Sequence, residues 1–132
     1  MKYISLGYFD EKKWEAMPES EQKAFLDECF VYDDLLRKNG HILGGEALQT
    51  ARHAITLRWQ SGKVSITDGP YAETKEQLGG FGVFEARDLN HAIQLLSNHP
   101  AVKAGITEIR PVEDLSEMIR ESERRRSITK DK

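Results

Sequence analysis

The segment ITDGPYAETKEQLGG at residues 66–80 holds the densest group of side chains that could do acid–base or binding chemistry. Asp68 is its candidate catalytic residue, because a carboxylate held on a turn can act as a general base. Four further polar side chains are candidate substrate-binding residues: Tyr71, Glu73, Lys75 and Glu76. A structural interpretation competes with this one, since Asp-Gly-Pro at 68–70 is itself the chemistry of a tight turn.

Two residues outside this segment complete the predicted site. His41 follows the helix-ending Gly40 and is the second candidate catalytic residue, as an electrostatic partner of Asp68. Arg110 lies in the last predicted strand and could bind an acidic substrate. It shares a strand face with Glu108, so a simple ion pair at the edge of the sheet is an equally good interpretation.

The sequence favours no metal site and no cofactor. The four histidines lack HxH or HxxxH spacing, and the only cysteine, Cys29, falls on an apolar helical stripe. Two glycine pairs, at 44–45 and 79–80, are accompanied by neither GK[ST] nor GxGxxG, so they do not form a phosphate loop.

Composition narrows the class of protein. The chain has 132 residues, 39% hydrophobic and 31% charged, which suits one globular domain. A net charge of −3 without a basic face argues against direct nucleic-acid binding. No apolar stretch is long enough to span a membrane, the N-terminus has no signal-peptide pattern, and one cysteine cannot form an intrachain disulfide. We therefore expect a cytoplasmic protein.

The patterns along the chain predict alternating strands and helices. Strands are expected at 2–9, 41–48, 53–60, 64–67, 80–86 and 106–112, and helices at 17–40 and 89–100. This order predicts an α+β fold, a ferredoxin-like split βαβ sandwich with an added hairpin. Residues 1–113 would form the domain, and 114–132 a short C-terminal helix followed by a charged tail that frays.

Both long helices should cover one face of the sheet. Four residues are expected beneath them: Ile4, Leu6, Phe84 and Ile109. Glu85, Glu108 and Arg110 would then lie on the opposite, open face. An open face about five strands wide needs a cover, so we expect a homodimer related by two-fold symmetry.

Three segments carry a resemblance to a known family. DGPYAETKEQLGGF (68–81) closely resembles the signature of the YCII-related family, in the branch called DGPF-domain proteins, with Tyr71 in place of the phenylalanine. GHILGGEAL (40–48) and EIRPV (108–112) also fit. The resemblance implies a ferredoxin-like dimeric α/β barrel. Some YCII-like relatives carry a His–Asp pair considered catalytic, and members of the DGPF branch often accompany extracytoplasmic-function sigma factors.

Two functions suit these residues. The first is a cofactor-independent enzyme that binds a small organic acid and performs proton abstraction or elimination. The alternative is a non-catalytic metabolite-binding or regulatory module linked to sigma-factor-dependent transcription. Every candidate residue has a role in either, so the sequence leaves both open.

Overall fold

The computed structural model of the chain describes residues 1–130, and the last two residues of the predicted tail lie outside them. The strands are β1 (Lys2–Phe9), β2 (Ile42–Ala47), β3 (Ile55–Gln60), β4 (Lys63–Asp68), β5 (Gln77–Glu85) and β6 (Ile106–Pro111). The helices are α1 (Glu11–Ala16), α2 (Glu19–Lys38), α3 (Leu89–Ser97), α4 (Ala101–Ala104) and α5 (Ser116–Lys130), with a 3-10 turn at Ala51–His53.

The main sheet has the order β2-β5-β1-β6, with every neighbouring pair antiparallel. This is the strand order of a split βαβ unit, in which α2 and α3 connect strands that are not neighbours. β3 and β4 pair with each other in a separate two-stranded sheet. The expectation of a sheet about five strands wide is therefore wrong, because the hairpin does not extend the main sheet.

Local sequence explains where the first helices begin and end. Asp10 caps α1, since its side chain accepts hydrogen bonds from the backbone N–H groups of Lys12 and Lys13. The sequence patterns did not indicate this short helix. Pro18 precedes α2, which ends just before Gly40, whose φ of 78° suits a helix C-terminus. α2 therefore starts and stops close to its predicted bounds.

The core lies between the sheet and helices α2 and α3. Tyr3 is 2% exposed and packs with Ala86 and Ala92, while Phe84 packs with Leu36 and Leu96. Ile109 contacts both groups, so Phe84 and Ile109 lie beneath the helices as expected.

The expected position of Ile4 and Leu6 beneath the helices is wrong. Alternation along β1 places Tyr3 on the helix-facing side, so Ile4 and Leu6 point to the opposite face. Leu6 pairs opposite Glu108 and Ile4 opposite Arg110, in agreement with the expected position of these two charged residues. Alternation shows which residues share a face, but packing of the large Tyr3 ring decides which face is covered.

The C-terminal segment is more regular than expected. α5 continues through the charged residues to Lys130 instead of fraying after a short helix. Of its side chains up to Ile128, all but Ser122 are exposed. Within residues 1–130, no helix has the length and apolar character needed to cross a membrane.

Candidate functional site

A cavity of about 660 Å³ lies on the helix-facing side of the main sheet. Residues of β1, β2, β5 and β6 line it from the sheet, and residues of α1 and α2 line it from the helices. This volume is within the range of sites that bind small organic molecules. The cavity is therefore our candidate site.

The bottom of the cavity is formed by two neighbouring rows of the sheet, which run across the strands and in which the residues that line the cavity have small side chains or none. The first row is Ala47, Gly80, Gly7 and Thr107. The second row is Gly45, Gly82 and Ser5, and it continues on β6 to Ile109, whose side chain packs in the core. The seven residues other than Ile109 line the cavity, and together they are called the glycine floor. Because glycine has no Cβ, the floor consists largely of peptide planes.

Aromatic rings stand at both ends of the glycine floor. A Cβ on Gly79 would overlap the ring of Phe9, and a Cβ on Gly82 would overlap the ring of Phe84. These glycines thus make room for the two rings. Four apolar residues line much of the helix side of the cavity: Trp14, Phe25, Leu26 and Phe30. Trp14 and Phe25 stack edge to face, with ring centroids 5.8 Å apart.

The polar part of the cavity is built around His99 and Asp33. His99 Nε2 lies 2.8 Å from Asp33 Oδ1, and the two side chains are 15% and 30% exposed. On the other side of the ring, His99 Nδ1 accepts a hydrogen bond of 3.1 Å from the backbone N–H of Ala101. A ring nitrogen that accepts is unprotonated, so Nε2 carries the proton and donates a hydrogen bond to Asp33 Oδ1.

This arrangement leaves the carboxylate as the reactive group. Both nitrogens of His99 are occupied, whereas Asp33 Oδ2 has no hydrogen-bond partner among the described residues. Arg37 lies four residues after Asp33 on α2 and also lines the cavity. Its Nη1 is 3.0 Å from Asp34 Oδ1. The site thus offers a positioned base and a nearby positive charge.

The structure places Asp68 outside this cavity. Asp68 is the exposed last residue of β4, opposite Ile55 in the hairpin. The next residue, Gly69, has a φ of +94°, and its N–H donates a 2.7 Å hydrogen bond to Ala54. The Asp-Gly-Pro segment therefore makes the turn that its residues predict.

In the loop that follows, residues 69–76, four of the eight residues are exposed and four are half-buried. Tyr71 is 81% exposed, and its carbonyl accepts a 3.1 Å hydrogen bond from Arg58. The three charged residues of the loop do not line the cavity: Glu73, Lys75 and Glu76. Within the chain, the Tyr71 side chain does not anchor the loop against the sheet.

His41 and Arg110 lie on further, separate parts of the fold. His41 Nδ1 is 3.1 Å from the Glu85 carbonyl, and its ring stacks edge to face on His91 at 5.2 Å. Arg110 binds Glu108 on its own strand, at 3.1 Å from Nε to Oε2. The structure thus brings Arg110 to Glu108, and it does not bring together Asp68, His41 and Arg110.

Sequence reasoning missed Asp33, Arg37 and His99. Asp33 follows Tyr32 on the apolar stripe of α2, where a carboxylate beside core residues was a usable signal. His99 lies at the end of the helix predicted at 89–100, a position where a histidine gives no signal of catalysis. Its partner is 66 residues away, so no spacing pattern could connect the two. Among residues 1–130, no cluster of three or more His, Cys, Asp or Glu side chains could hold a metal ion.

Comparisons with known proteins agree with this architecture. The model of the YCII-related domain matches residues 1–116. Uncharacterized protein R00369 of Rhizobium meliloti (strain 1021) is 32% identical over 116 residues, which cover 85% of this chain and 92% of that protein.

A similar solved structure is 5-chloro-2-hydroxyhydroquinone dehydrochlorinase (TftG) from Burkholderia phenoliruptrix AC1100, in complex with 2,5-dihydroxybenzoquinone. Its TM-score is 0.51 at 16% identity, over 86% of this chain and 94% of that one. This likeness concerns the fold. The match of the family model over most of the sequence shows that the chain belongs to the YCII-related family.

Proposed function

We propose that the protein binds a small organic molecule in the cavity and abstracts a proton from it, with elimination as the reaction that follows. The observation that carries this proposal is the His99–Asp33 pair on the wall of the cavity. The hydrogen bond from His99 holds the carboxylate in place and leaves one oxygen of Asp33 for the ligand.

The proposed reaction needs only side chains of this chain. Asp33 Oδ2 takes a proton from a hydroxyl group of the ligand or from a carbon next to a carbonyl. The electron pair of that O–H or C–H bond moves into a new double bond, and the leaving group departs with the electron pair of the bond that held it to carbon. Arg37 stabilises the negative charge that develops, and Asp33 then returns its proton to water.

The similar structure supports this class of reaction. TftG is named as a dehydrochlorinase, and removal of hydrogen chloride is an elimination. For this chain the likeness supports elimination as a proposal, and the cavity residues supply the base that such a reaction requires.

The test compares Asp33→Asn with Asp27→Asn, an exposed carboxylate on the same helix. Halide release from chlorinated hydroquinones and solvent deuterium exchange into hydroquinone-type ligands are measured in parallel. We expect Asp33→Asn to lower both rates by about 100-fold or more, the usual contribution of a general base. Asp27→Asn should retain them.

Equal rates in the two variants would contradict the role of Asp33. Binding without exchange or release in the parent protein would instead favour the second function, a metabolite-binding or regulatory module. The DGPF-like segment at residues 68–81 supports that alternative, through the association of this branch with sigma factors.

We further propose that the protein is a homodimer, a dimeric α/β barrel that buries the open face of the main sheet. The face carries Ile4 and Leu6, which remain partly exposed, and Phe81, which is 39% exposed. Packing of two such faces would remove this apolar surface from water. Light scattering should give twice 15.1 kDa, about 30 kDa, and a monomer would contradict the proposal.

In such a dimer we propose that Asp68 and the 69–76 loop act with the second copy, with His41 and Arg110 as further contributors. The supporting observation is the 81% exposure of Tyr71, a large aromatic residue that a ligand or partner would cover. Asp68→Asn keeps the hydrogen bonds of the turn but removes the charge. Unchanged ligand affinity in this variant would mean that Asp68 has only a structural role, in the turn.

A further inference from the structure

We propose that the ligand of the cavity is a planar ring that carries a hydroxyl group and lies face down on the glycine floor. This inference rests on the proposed function for the location of the site and adds the chemical class of the ligand. Its basis is Gly7, a position where neither the backbone conformation nor a close contact requires a glycine.

Close contacts with backbone atoms or with the Phe84 ring explain the other glycines of the floor. A Cβ on Gly45 would lie 2.5 Å from the carbonyl oxygen of Phe81, and one on Gly80 would lie 2.9 Å from that of Glu46. A Cβ on Gly82 would overlap the Phe84 ring. These three positions are therefore closed to larger residues by the fold itself.

Gly7 is different. The nearest atom to a Cβ at this position would be the Gly80 carbonyl oxygen at 3.8 Å, which is ordinary van der Waals contact. Its backbone φ also lies outside the left-handed region, so an alanine would fit without strain. Glycine weakens the interior of a strand, and here the strand gains nothing from it. What the missing side chain leaves open is the middle of the cavity floor.

The dimensions of the floor suit a flat ring system. The first row crosses four strands about 4.8 Å apart, a width of about 14 Å, and the second crosses three, a width of about 10 Å. The two rows lie two residues apart, which gives a depth of about 7 Å. Phe9 and Phe84 stand at the ends, where their rings can contact the rim of a ligand. A planar ring touches a floor of peptide planes over its whole face. A puckered ring touches it only through its axial hydrogens and loses much of that contact.

The polar part of the cavity, at Asp33 and His99, determines which substituent on the ring can bind. Asp33 Oδ2 is an acceptor without a partner among residues 1–130, and the other oxygen is held by His99. A hydroxyl group on the ring can donate a hydrogen bond to that free oxygen, whereas a carboxylate would meet a like charge. A hydroxylated planar ring therefore satisfies both the floor and the wall.

The experiment uses a matched pair of probes, 2,6-dihydroxynaphthalene and decahydronaphthalene-2,6-diol, which share two hydroxyl groups and differ in planarity. Dissociation constants are measured by NMR titration of the full-length protein. We expect the planar probe to bind about tenfold more tightly, and its ring protons to show NOEs to the Hα protons of Gly7 and Gly80.

The variants Gly7→Val and Gly7→Ala place a side chain on the floor. Ser65→Val is the control, because Ser65 lies on β4 in the separate hairpin and does not line the cavity. Gly7→Val should weaken binding of the planar probe by about tenfold or more, while Ser65→Val changes it less than about twofold. If Gly7→Val does not fold, Gly7→Ala serves instead, with an expected weakening of about threefold.

Equal affinity for the two probes, absence of binding by either, or full affinity in the Gly7 variants would overturn the inference. The outcome is separable from that of the proposed function. If the protein prefers the planar probe but Asp33→Asn keeps full turnover, only the proposed role of Asp33 is contradicted. If the two probes bind equally but turnover depends on Asp33, only the inference of a planar ligand is contradicted.

Discussion

His99 and Asp33, 66 residues apart in the chain, meet at 2.8 Å on the wall of the cavity, where a backbone N–H at Ala101 fixes the tautomer of the imidazole. The geometry makes His99 a positioning residue and leaves Asp33 to face a ligand. It also ties α2 to the segment between α3 and α4, so the pair should contribute to stability as well as to the site.

Replacement of His99 should therefore be costly. His99→Phe keeps a ring of similar size but leaves Asp33 and the Ala101 N–H without their partner. We expect a loss of about 1–3 kcal/mol in the free energy of unfolding, measured by urea denaturation. The control is His53→Phe in the exposed 3-10 turn, which should change stability by less than about 0.5 kcal/mol. Equal effects of the two would show that the pair adds nothing to the fold.

The single cysteine should be unreactive in the folded protein. Burial, together with the charges of Asp33 and Glu28, raises the pKa of Cys29 from 9.0 to about 11. The thiolate is the nucleophile, so alkylation by iodoacetamide at pH 8 should be about 100-fold slower than in urea-unfolded protein. No other thiol is present, so the reagent reports on Cys29 alone. Similar rates in the two states would contradict the raised pKa.

The same shift predicts a pH dependence of stability. The folded state keeps the proton on Cys29 at a pH where the unfolded chain loses it. Its contribution is therefore complete below about pH 9 and is lost as the pH rises toward about 11. Urea denaturation between these values should show a decline that is smaller in Cys29→Ala. An equal decline in that variant would assign it to other groups.

Gly69→Ala should destabilise the turn after β4. The φ of +94° is strained for any residue with a Cβ, although no atom lies within 4 Å of the added methyl group. We expect a cost of about 1 kcal/mol or more in urea denaturation. Gly44→Ala is the matched control, because its Cβ also meets nothing within 4 Å and its φ lies outside the left-handed region. If both variants unfold at the same urea concentration as the parent, backbone strain does not explain why position 69 is a glycine.

Leu6→Arg should convert the proposed dimer into monomers. Leu6 lies on the open face of the sheet beside Glu108 on β6, so an arginine there would place a charge in the proposed interface. Val31→Arg, on the exposed side of α2, is the control and should leave the dimer intact. Light scattering measures both, with circular dichroism to confirm folding. A dimeric Leu6→Arg protein would place the interface elsewhere.

Local patterns were enough to predict most of the fold. β1 was predicted from its β-branched and aromatic residues, and α2 from its proline start and glycine stop, because these signals act within a few residues. The positive φ at Gly69 followed in the same way from the Asp-Gly-Pro turn. The hairpin was also predicted, but its separation from the main sheet was not, since pairing between distant strands leaves no local signal.

The cavity and its base were decided by tertiary structure alone. Alternation in β1 grouped Tyr3 with Gly7 on one face, but only packing of Tyr3 under the helices made that face the floor of a cavity. Asp33 and His99 each looked ordinary in the sequence, a carboxylate on a helix and a histidine at a helix end. Their meaning comes from the contact between α2 and the segment after α3, which exists only when the helices pack on the same sheet. Secondary structure depends on neighbours in the chain, whereas a site depends on neighbours in space.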